Sequence, residues 1–269
     1  MSNTHFLIAN YNSDPSELVE LSKGCFSIVD SSDCEESRQQ ILEKYGTKVK
    51  FSQNYGHNLV SYLDFIIENY YDLPPLVAFM KGNLIGRHVN LEYLGDCLDR
   101  GRFAFLWDDA NLKEQFDTMY RLSPGKFLEN NNSWYARNAP KRFFSNINNF
   151  LDFFFEDYKV SHFLLFAPGG CYLVERERIL DNPISLYRAL RDFVSYDYRP
   201  AEAFMLERTF PLFLDRTYRL REYCYNYDSI TRKSLDLCED NSYKESKGLK
   251  SFFIRLRLQI AASIYPQSR

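Results

Sequence analysis

The segment Asn54–Asn83 reads NYGHNLVSYLDFIIENYYDLPPLVAFMKGN and carries the strongest structural signal in this chain. After a polar, glycine-containing start, apolar residues recur at helical spacing, at Leu59, Tyr62, Leu63, Ile66 and Ile67. Two prolines end the helical pattern, and the apolar run PLVAFMKG that follows is typical of a buried strand. A helix followed by such a strand predicts one repeating unit of an α/β fold.

The residues before this segment continue the same alternation. Strands are predicted at HFLIANY (His5–Tyr11), CFSIVDS and KVKFSQ, and helices at SDPSELVELSKG and CEESRQQILEKYG. The order β-α-β-α-β-α-β over the first 83 residues predicts a Rossmann-like, mostly parallel sheet with helices on both faces. Ligands of such sheets bind beyond the carboxyl ends of the strands.

The later part of the chain is less regular. We predict a helix and a strand in LGDCLDRGRFAFLWDD, a long loop over residues 122–144, and a buried helix in NINNFLDFFFEDY. SHFLLFAPGGCYLVERERILDNP predicts a strand, a tight Gly-Gly turn, a second strand and a helix start. Helices are also predicted at ISLYRALRDFV and RPAEAFMLERTFPLFL, and in the C-terminal tail, residues 221–269.

The composition limits the class of protein. The net charge of −3 disfavours nucleic-acid binding, which normally requires a basic excess. The six cysteines form no C-x-x-C pair, and the N-terminus lacks the pattern of a signal peptide, so we expect a cytoplasmic protein with free thiols. No apolar run approaches the roughly 20 residues of a membrane span.

Three motifs resemble glycosyltransferases of the GT-A fold. NYGHN resembles the N-x-G segment of family-2-type enzymes. APGGCYLVERERI and YRPAEAFMLER resemble segments of core-2 branching N-acetylglucosaminyltransferases and peptide O-xylosyltransferases. The whole run from Asn54 to Asn83 is also similar to a little-characterised family of glycosyltransferase-like proteins best known from fungi. The resemblance covers residues 6–86 and 163–213.

The resemblance implies an inverting glycosyltransferase with a GT-A-like catalytic domain over residues 1–220. Residues 1–86 would bind the nucleotide-sugar donor, expected to be a UDP-sugar, and residues 87–220 a glycan acceptor. In the related Tyr-x-Pro-x-Glu helix the glutamate is the catalytic base, which implies Glu202 here. Glu207 is the second candidate, about 140° further round the same helix.

Polar residues at the predicted strand ends are the candidate donor ligands. They are Asn10, Tyr11, Asn12, Asp30, Asn54, Gly56, His57, Lys81 and Asn83. Helix capping by Asn54 and a solvated turn at Asp30 are the structural alternatives. Arg87 and His88 could contact phosphate or lie on the surface, and Arg176 and Arg178 are expected to be solvated. A cation for the diphosphate is expected among Arg208, Arg216 and Arg219. Acceptor contacts are expected at Trp134, Gly169 and Gly170.

The metal-binding Asp-x-Asp of many GT-A enzymes is missing, because the fourth strand ends in Lys81-Gly82-Asn83. Core-2-type enzymes neutralise the diphosphate with Lys and Arg instead. We therefore predict no cofactor and an activity that survives chelation by EDTA. Asp108 and Asp109 are the alternative ligands for Mn²⁺ or Mg²⁺.

Two further interpretations stay open. The chain could be a non-catalytic nucleotide- or glycan-binding module, which the missing Asp-x-Asp favours. A dehydrogenase or methyltransferase is disfavoured, because the first strand ends in NYNSDP rather than in a glycine-rich turn.

In the tail, KESKGLKSFFIRLRL contains five Lys or Arg and one Glu, which is typical of a solvated helix or of peripheral membrane contact.

Overall fold

The computed structural model describes residues 4–108, 119–123, 126–130, 139–155 and 163–215. The strands are β1 (Thr4–Asn10), β2 (Phe26–Asp30), β3 (Val49–Phe51), β4 (Leu76–Lys81), β5 (Ala104–Phe105), β6 (Met119–Ser123), β7 (Lys126–Asn130), β8 (Phe163–Phe166) and β9 (Tyr172–Glu175). The helices are α1 (Ser16–Leu21), α2 (Glu35–Tyr45), α3 (His57–Asn69), α4 (Leu91–Arg100), α5 (Ile147–Phe154), α6 (Arg176–Leu180), α7 (Ile184–Val194) and α8 (Ala201–Leu214).

Six of the strands form one mixed sheet in the order β3-β2-β1-β4-β9-β5. Strands β1 to β4 are mutually parallel, and β9 runs antiparallel to both of its neighbours. Strands β6, β7 and β8 form a separate antiparallel sheet. The predicted α/β class with a Rossmann-like, mostly parallel sheet is confirmed.

Helices cover both faces of the main sheet because its central strands are apolar on both sides. Leu7 of β1 and Phe79 of β4 face a core shared with α3, α5, α7 and α8. The alternate residues Ile8 and Met80 face a second core shared with α1, α2 and α4. Nearly continuous apolar strands of this kind are typical of parallel sheets that are buried on both faces.

The order in which the chain adds strands to the sheet reverses between β1 and β4. The chain moves outward from β1 through β2 to β3, and then returns to place β4 on the other side of β1. Asn10 pairs with Asp30 in the register of β1 and β2, and Ala9 pairs with Lys81 in the register of β1 and β4. A crevice at the carboxyl ends of β1 and β4 is therefore where this topology places a ligand.

For the second half one prediction is confirmed and one is corrected. The predicted order of strand, Gly-Gly turn, strand and helix start is observed as β8, Gly169–Gly170, β9 and α6, with β8 paired to β7 and β9 paired to β4. Residues 122–144 are not one loop, because β7 lies within them and pairs with both β6 and β8. The sequence pattern did not predict β7, although its partner β6 ends only two residues before it begins; its other partner, β8, lies far along the chain.

Among the described residues, no helix is long and apolar enough to cross a membrane. The predicted C-terminal tail, residues 221–269, lies outside the described residues.

Candidate functional site

A cleft opens at the carboxyl ends of β1 and β4, where the topology predicts it. It holds about 650 Å³ of space outside the protein atoms, including its open mouth. Residues predicted as ligands that line it are Asn10, Tyr11, Asn54, His57, Lys81, Asn83 and Arg87. Polar residues that the sequence analysis did not single out also line it: Ser13, Ser31, Asn58, Ser61, Tyr198 and Arg199.

The floor of the cleft is a buried hydrogen-bond network around Asn10 and Asp30. Nδ2 of Asn10 donates to Oδ1 of Asp30 at 2.9 Å, and the same oxygen accepts from the Ser32 hydroxyl at 2.7 Å. Oδ1 of Asn10 accepts from Ser13 at 2.6 Å. A Cβ built on Gly82 would lie 2.1 Å from Oδ1 of Asn10, so the backbone of Gly82 packs directly against this amide. Asn10 is therefore held in one orientation.

Tyr11 and Asn12 are fixed by one acidic residue at the rim. The Tyr11 hydroxyl donates to Oδ2 of Asp33 at 2.8 Å, and Nδ2 of Asn12 donates to Oδ1 at 2.6 Å. Hydrogen bonding with Tyr198, and then with Asp33, raises the pKa of Tyr11. Tyr11 and Tyr198 thus lie together at the cleft, while Asn12 is turned towards Asp33.

The start of α3 explains the glycine in NYGHN. No side chain caps this helix, and Gly56, its N-cap residue, has a left-handed φ of 62°. A Cβ at Gly56 would lie 2.4 Å from the carbonyl oxygen of Val194, at the end of α7. Glycine is required by both the conformation and the close approach. Asn54 makes no capping bond and lines the cleft instead.

His57, the first residue of α3, is held by two rings. Its ring centroid is 5.3 Å from that of Phe204 and 5.9 Å from that of Tyr198. Burial lowers the pKa of His57 to about 4, with Lys81 and Arg199 acting in the same direction and Glu207 opposing them. No described residue is hydrogen-bonded to its Nε2. His57 is therefore a neutral group at neutral pH, with one ring nitrogen unused.

Three cations line the cleft: Lys81, Arg87 and Arg199. Within the described part of the chain none of them forms an ion pair. The described residues that line the cleft include no Asp or Glu. The cleft therefore presents an excess of positive charge although the whole chain is slightly acidic.

The Gly169–Gly170 turn lies between the cleft and Glu207. The backbone N–H of Gly169 donates to Oε1 of Glu207 at 3.1 Å, and its carbonyl accepts from Nδ2 of Asn58 at 2.8 Å. A Cβ built on Gly169, whose φ is 89°, would lie 3.4 Å from Nζ of Lys81. Among the described residues no donor is hydrogen-bonded to the second oxygen of Glu207, Oε2. Glu207 is thus linked through Gly169 to Asn58, which lines the cleft, and it has one carboxylate oxygen available; like Glu202, it is not itself among the described lining residues.

Glu202, the predicted base, occupies a different environment. It is fully buried, and its Oε1 accepts the backbone N–H groups of Arg142, Phe143 and Phe144 at 3.0, 2.7 and 3.2 Å. Its Oε2 accepts from the Tyr196 hydroxyl at 2.6 Å. Glu202 is not among the described residues that line the cleft. Its contacts favour a structural role, as an anchor for the segment that leads into α5.

Three other arginines, Arg176, Arg178 and Arg208, are not among the described residues that line the cleft. Arg208 is buried, lies 5.3 Å over the ring of Phe166 and donates to the Phe204 carbonyl at 3.1 Å. Arg178 was expected to be solvated, and this expectation is wrong. It forms ion pairs with Glu175 and Asp215 at 2.8 and 2.6 Å. Arg176 is half-buried and donates to the Leu73 carbonyl at 3.4 Å.

Asp108, the alternative metal ligand, makes hydrogen bonds within the protein. Its Oδ2 accepts from the side chain of Asn90, the N-cap residue of α4, and its own N–H donates to the His88 carbonyl at 2.7 Å. Among the described residues there is no group of three His, Cys, Asp or Glu that could hold a metal ion. Outside the described residues lie Asp109, Trp134, Arg216 and Arg219.

Replacing Gly82 with alanine should disturb the cleft floor. The new Cβ would lie 2.1 Å from Asn10 and 2.7 Å from Ser13, so the bond from Asn10 to Asp30 has to break or shift. We expect a loss of about 1–3 kcal/mol in unfolding free energy, measured by urea denaturation. The control is Gly95→Ala in α4, where nothing lies within 4 Å of the added Cβ and helix propensity predicts a gain of about 0.5–1 kcal/mol. Equal changes in unfolding free energy for Gly82→Ala and Gly95→Ala would contradict the inference that Gly82 packs directly against Asn10.

His88 should make the fold less stable in acid. Its pKa is lowered to about 3 by burial and then by Lys81 and Arg87, while the unfolded chain titrates near 6.5. Between these values the unfolded chain binds the proton and the folded one does not, so stability falls as the pH is lowered from 6.5 towards 3. At pH 5 the loss is on the order of 2 kcal/mol.

The variant His88→Phe isolates this contribution from those of the other titrating groups. The difference in unfolding free energy between pH 7 and pH 5 should be about 2 kcal/mol smaller in the variant than in the parent. An unchanged difference would mean that His88 is protonated in the folded protein at pH 5.

Comparison with known proteins adds one match. A family model described as "Protein of unknown function (DUF3431)" matches residues 28–226, which is most of the chain. The matched range begins within β2 and includes α3, the Gly169–Gly170 turn and α8. No curated protein and no solved structure matches the chain.

Proposed function

The chain belongs to the DUF3431 family, described as "Protein of unknown function". We propose that it is a glycosyltransferase. It would transfer a sugar from a nucleotide-diphosphate donor to a hydroxyl group of a glycan or another acceptor. The proposal rests on the residues of the cleft and on the resemblance of its motifs to GT-A enzymes.

One observation carries the proposal: three cations without ion-pair partners in the described structure meet in a cleft at the switch point of the sheet. Lys81 is half-buried and Arg87 and Arg199 are exposed. A cleft lined by charge of one sign attracts ligands of the opposite sign, so these three cations favour an anionic ligand. Arg87 and Arg199 offer planar groups that bind phosphate oxygens in pairs, and Lys81 offers a compact charge. Together they suit a diphosphate.

The remaining cleft residues suit a nucleoside. Tyr11 and Tyr198 provide aromatic surfaces next to the amides of Asn10 and Asn54. Flat bases stack on such rings, and amides can hydrogen-bond to a base edge or a ribose hydroxyl. The preference for uracil over other bases is an expectation from the family resemblance alone.

We propose Glu207 rather than Glu202 as the catalytic base. Glu207 contacts the Gly169 turn beside the cleft and has a free Oε2, whereas four donors occupy the two oxygens of Glu202. Oε2 of Glu207 would take the proton of the acceptor hydroxyl as the acceptor oxygen bonds to the anomeric carbon. The bond from that carbon to the diphosphate breaks, and the diphosphate leaves with the electron pair.

The cations would stabilise the leaving group. Negative charge grows on the diphosphate in the transition state, and Lys81, Arg87 and Arg199 are placed to stabilise it electrostatically. This route needs no metal ion, in line with Lys81-Gly82-Asn83, rather than Asp-x-Asp, at the end of β4 and just after it. Retention of activity in EDTA stays a prediction.

Nucleotide sugars should raise the melting temperature. At 100 times its dissociation constant a donor adds about 2.7 kcal/mol, which corresponds to roughly 5–10 °C for a chain of this size. The measurement is a thermal-shift panel of UDP-, GDP-, ADP- and CMP-sugars, each with Mn²⁺ and with EDTA. The double variant Arg87→Gln/Arg199→Gln is the control and should lose the shift. A panel without any shift would contradict the proposal.

A non-catalytic nucleotide- or glycan-binding module is the second candidate. It is favoured by the absence of Asp and Glu among the described lining residues of the cleft. The two candidates differ in donor hydrolysis, because GT-A enzymes commonly release nucleotide slowly without an acceptor. Donor binding without any release of free nucleotide would support the binding module.

The cytoplasm is the proposed location. The described cysteines Cys25, Cys34, Cys97 and Cys171 carry free thiols, which suits a reducing compartment. We also propose that residues 244–258 contact membranes peripherally, because this segment of the tail is basic.

A further inference from the structure

A cysteine, a histidine and a serine are in contact at the amino ends of β1 and β2. Sγ of Cys25 lies 3.8 Å from Nδ1 of His5, and Nε2 of the same ring lies 3.0 Å from the Ser27 hydroxyl. The cleft is at the carboxyl ends of the strands, so this cluster is separate from the proposed donor site. A nucleophile beside a base that a third group orients is a recurrent arrangement for activating nucleophiles.

The backbone fixes Cys25, and packing fixes His5. The N–H of Cys25 donates to the Ser22 carbonyl at 3.1 Å, and its carbonyl accepts the N–H of Phe6 at 2.9 Å. The ring of His5 stacks on that of Phe65 in α3, with the centroids 5.2 Å apart and the planes at 19°. The approach of Sγ to Nδ1 therefore follows from the fold around both residues.

The protonation state of His5 leaves it able to accept a proton. Burial, and then the charge of Lys48, lowers the pKa of His5 below its usual value of 6.5, so the ring is neutral at pH 7. In the tautomer that donates from Nε2 to the Ser27 hydroxyl, Nδ1 carries a lone pair on the side of Cys25. Nδ1 can then take the thiol proton, and the thiolate is the reactive form of cysteine.

Exposure distinguishes Cys25 from two of the other described cysteines. Cys25 is exposed, whereas Cys97 and Cys171 are buried, and burial raises the pKa of both of their thiols. Cys34 is also exposed, and hydrogen bonds from Ser37 lower the pKa of its thiol. No described histidine is hydrogen-bonded to Cys34, so the two exposed thiols compare activation with and without a neighbouring base.

We propose that Cys25 is a modification site that forms mixed disulfides with low-molecular-weight disulfides such as glutathione disulfide, with His5 as its base. Nδ1 takes the thiol proton, and Sγ attacks one sulfur of the disulfide. The new S–S bond forms as the old one breaks, and the leaving glutathione thiolate takes the proton from His5. One thiol and one disulfide thus give one mixed disulfide and one thiol. This inference does not depend on the proposed function.

Alkylation rates test the role of His5. At pH 7 an ordinary cysteine thiol is only about 3% thiolate, so a neighbouring base can raise its reactivity by up to about 30-fold. We expect His5→Phe, which keeps a ring against Phe65, to slow the reaction of Cys25 with iodoacetamide by about 10-fold. Peptide mass mapping follows each cysteine separately. The rate at Cys34 should not change, and Cys97 and Cys171 should stay unlabelled.

The pH dependence separates a base from a purely structural role. In His5→Phe the rate at Cys25 should rise about 10-fold between pH 6.5 and 7.5, because it follows the thiolate fraction. In the parent the proton moves within the pair, so the rate should rise much less. With glutathione disulfide in place of iodoacetamide, the parent should carry glutathione at Cys25 before any other cysteine.

The second variant, Ser27→Ala, keeps the base and removes the partner of Nε2. It should slow alkylation of Cys25 by about 3-fold, the effect of one lost hydrogen bond. Equal rates at Cys25 in the parent and in both variants would overturn the proposal, as would faster modification of Cys34 than of Cys25 in the parent. Labelling of Cys97 and Cys171 in His5→Phe would show that this variant has opened, and Ser27→Ala then decides.

Discussion

Replacing Glu202 with alanine should destabilise the fold by about 3 kcal/mol, because four donors lose the charged acceptor that they share, and one of them, the Phe144 N–H, is buried. Three of these donors are consecutive backbone N–H groups, at residues 142–144, and the fourth is the Tyr196 hydroxyl. A hydrogen bond to a charged group contributes about 1.5–3 kcal/mol. The donors at Arg142, Phe143 and Tyr196 are only partly buried, and the Tyr196 hydroxyl also reaches the Pro140 carbonyl at 3.1 Å, so water and this carbonyl should reduce the sum. The unfolding free energy from urea denaturation is the measurement.

Tyr196→Phe is the matched control for this prediction. It removes one of the four donors and leaves the three backbone bonds to Glu202, so we expect a loss of only about 1 kcal/mol. If Glu202→Ala lowers the unfolding free energy by less than Tyr196→Phe does, the carboxylate does not anchor the segment before α5. A stable Glu202→Gln protein without turnover would restore the original assignment of Glu202 as the base.

Glu207→Gln should lower turnover by at least about 10²-fold, the low end for a general base, while donor affinity changes little. The amide can still accept the Gly169 N–H, so the turn should keep its position. It cannot take the proton of an acceptor hydroxyl at neutral pH. The measurements are kcat with the best donor and its affinity by calorimetry.

The control for Glu207 is the same substitution at a distant site. Glu177→Gln on α6 removes a carboxylate that pairs with Arg176 on the surface, and it should leave kcat unchanged. Turnover that persists in Glu207→Gln would remove Glu207 as the base. Loss of donor binding together with turnover would instead assign Glu207 to the structure of the Gly169 turn.

The alternation in the first half could be predicted because each element carries its own local signal. The helix α3 has a clear apolar stripe, and β1 and β4 are short apolar runs that end in polar residues. Parallel strands place all their carboxyl ends on one side, so the location of Asn10 and Lys81 in one cleft followed from order alone.

The rest depends on contacts between distant parts of the chain. Helix α8 is buried on almost every side, so its pattern has no polar face to indicate that Glu202 is held in the interior while Glu207 contacts the Gly169 turn. Gly56 looked like part of a capping segment, but its role is set by Val194, on another helix. A single histidine such as His88 carries no periodic signal, and only its burial and its neighbours distinguish it.

The position of β9 has a consequence for biosynthesis. Strand β4 ends at Lys81, but its second neighbour in the sheet begins at Tyr172. During translation, one edge of the apolar strand β4 therefore keeps unpaired backbone groups until β9 has been synthesised. Exposed strand edges recruit other chains, so a nascent chain truncated before β9 presents an aggregation-prone surface. Strands from residues 1–86 and from the later part of the chain share one sheet, and residues 1–86 expressed alone would lack β9, the strand that pairs with β4.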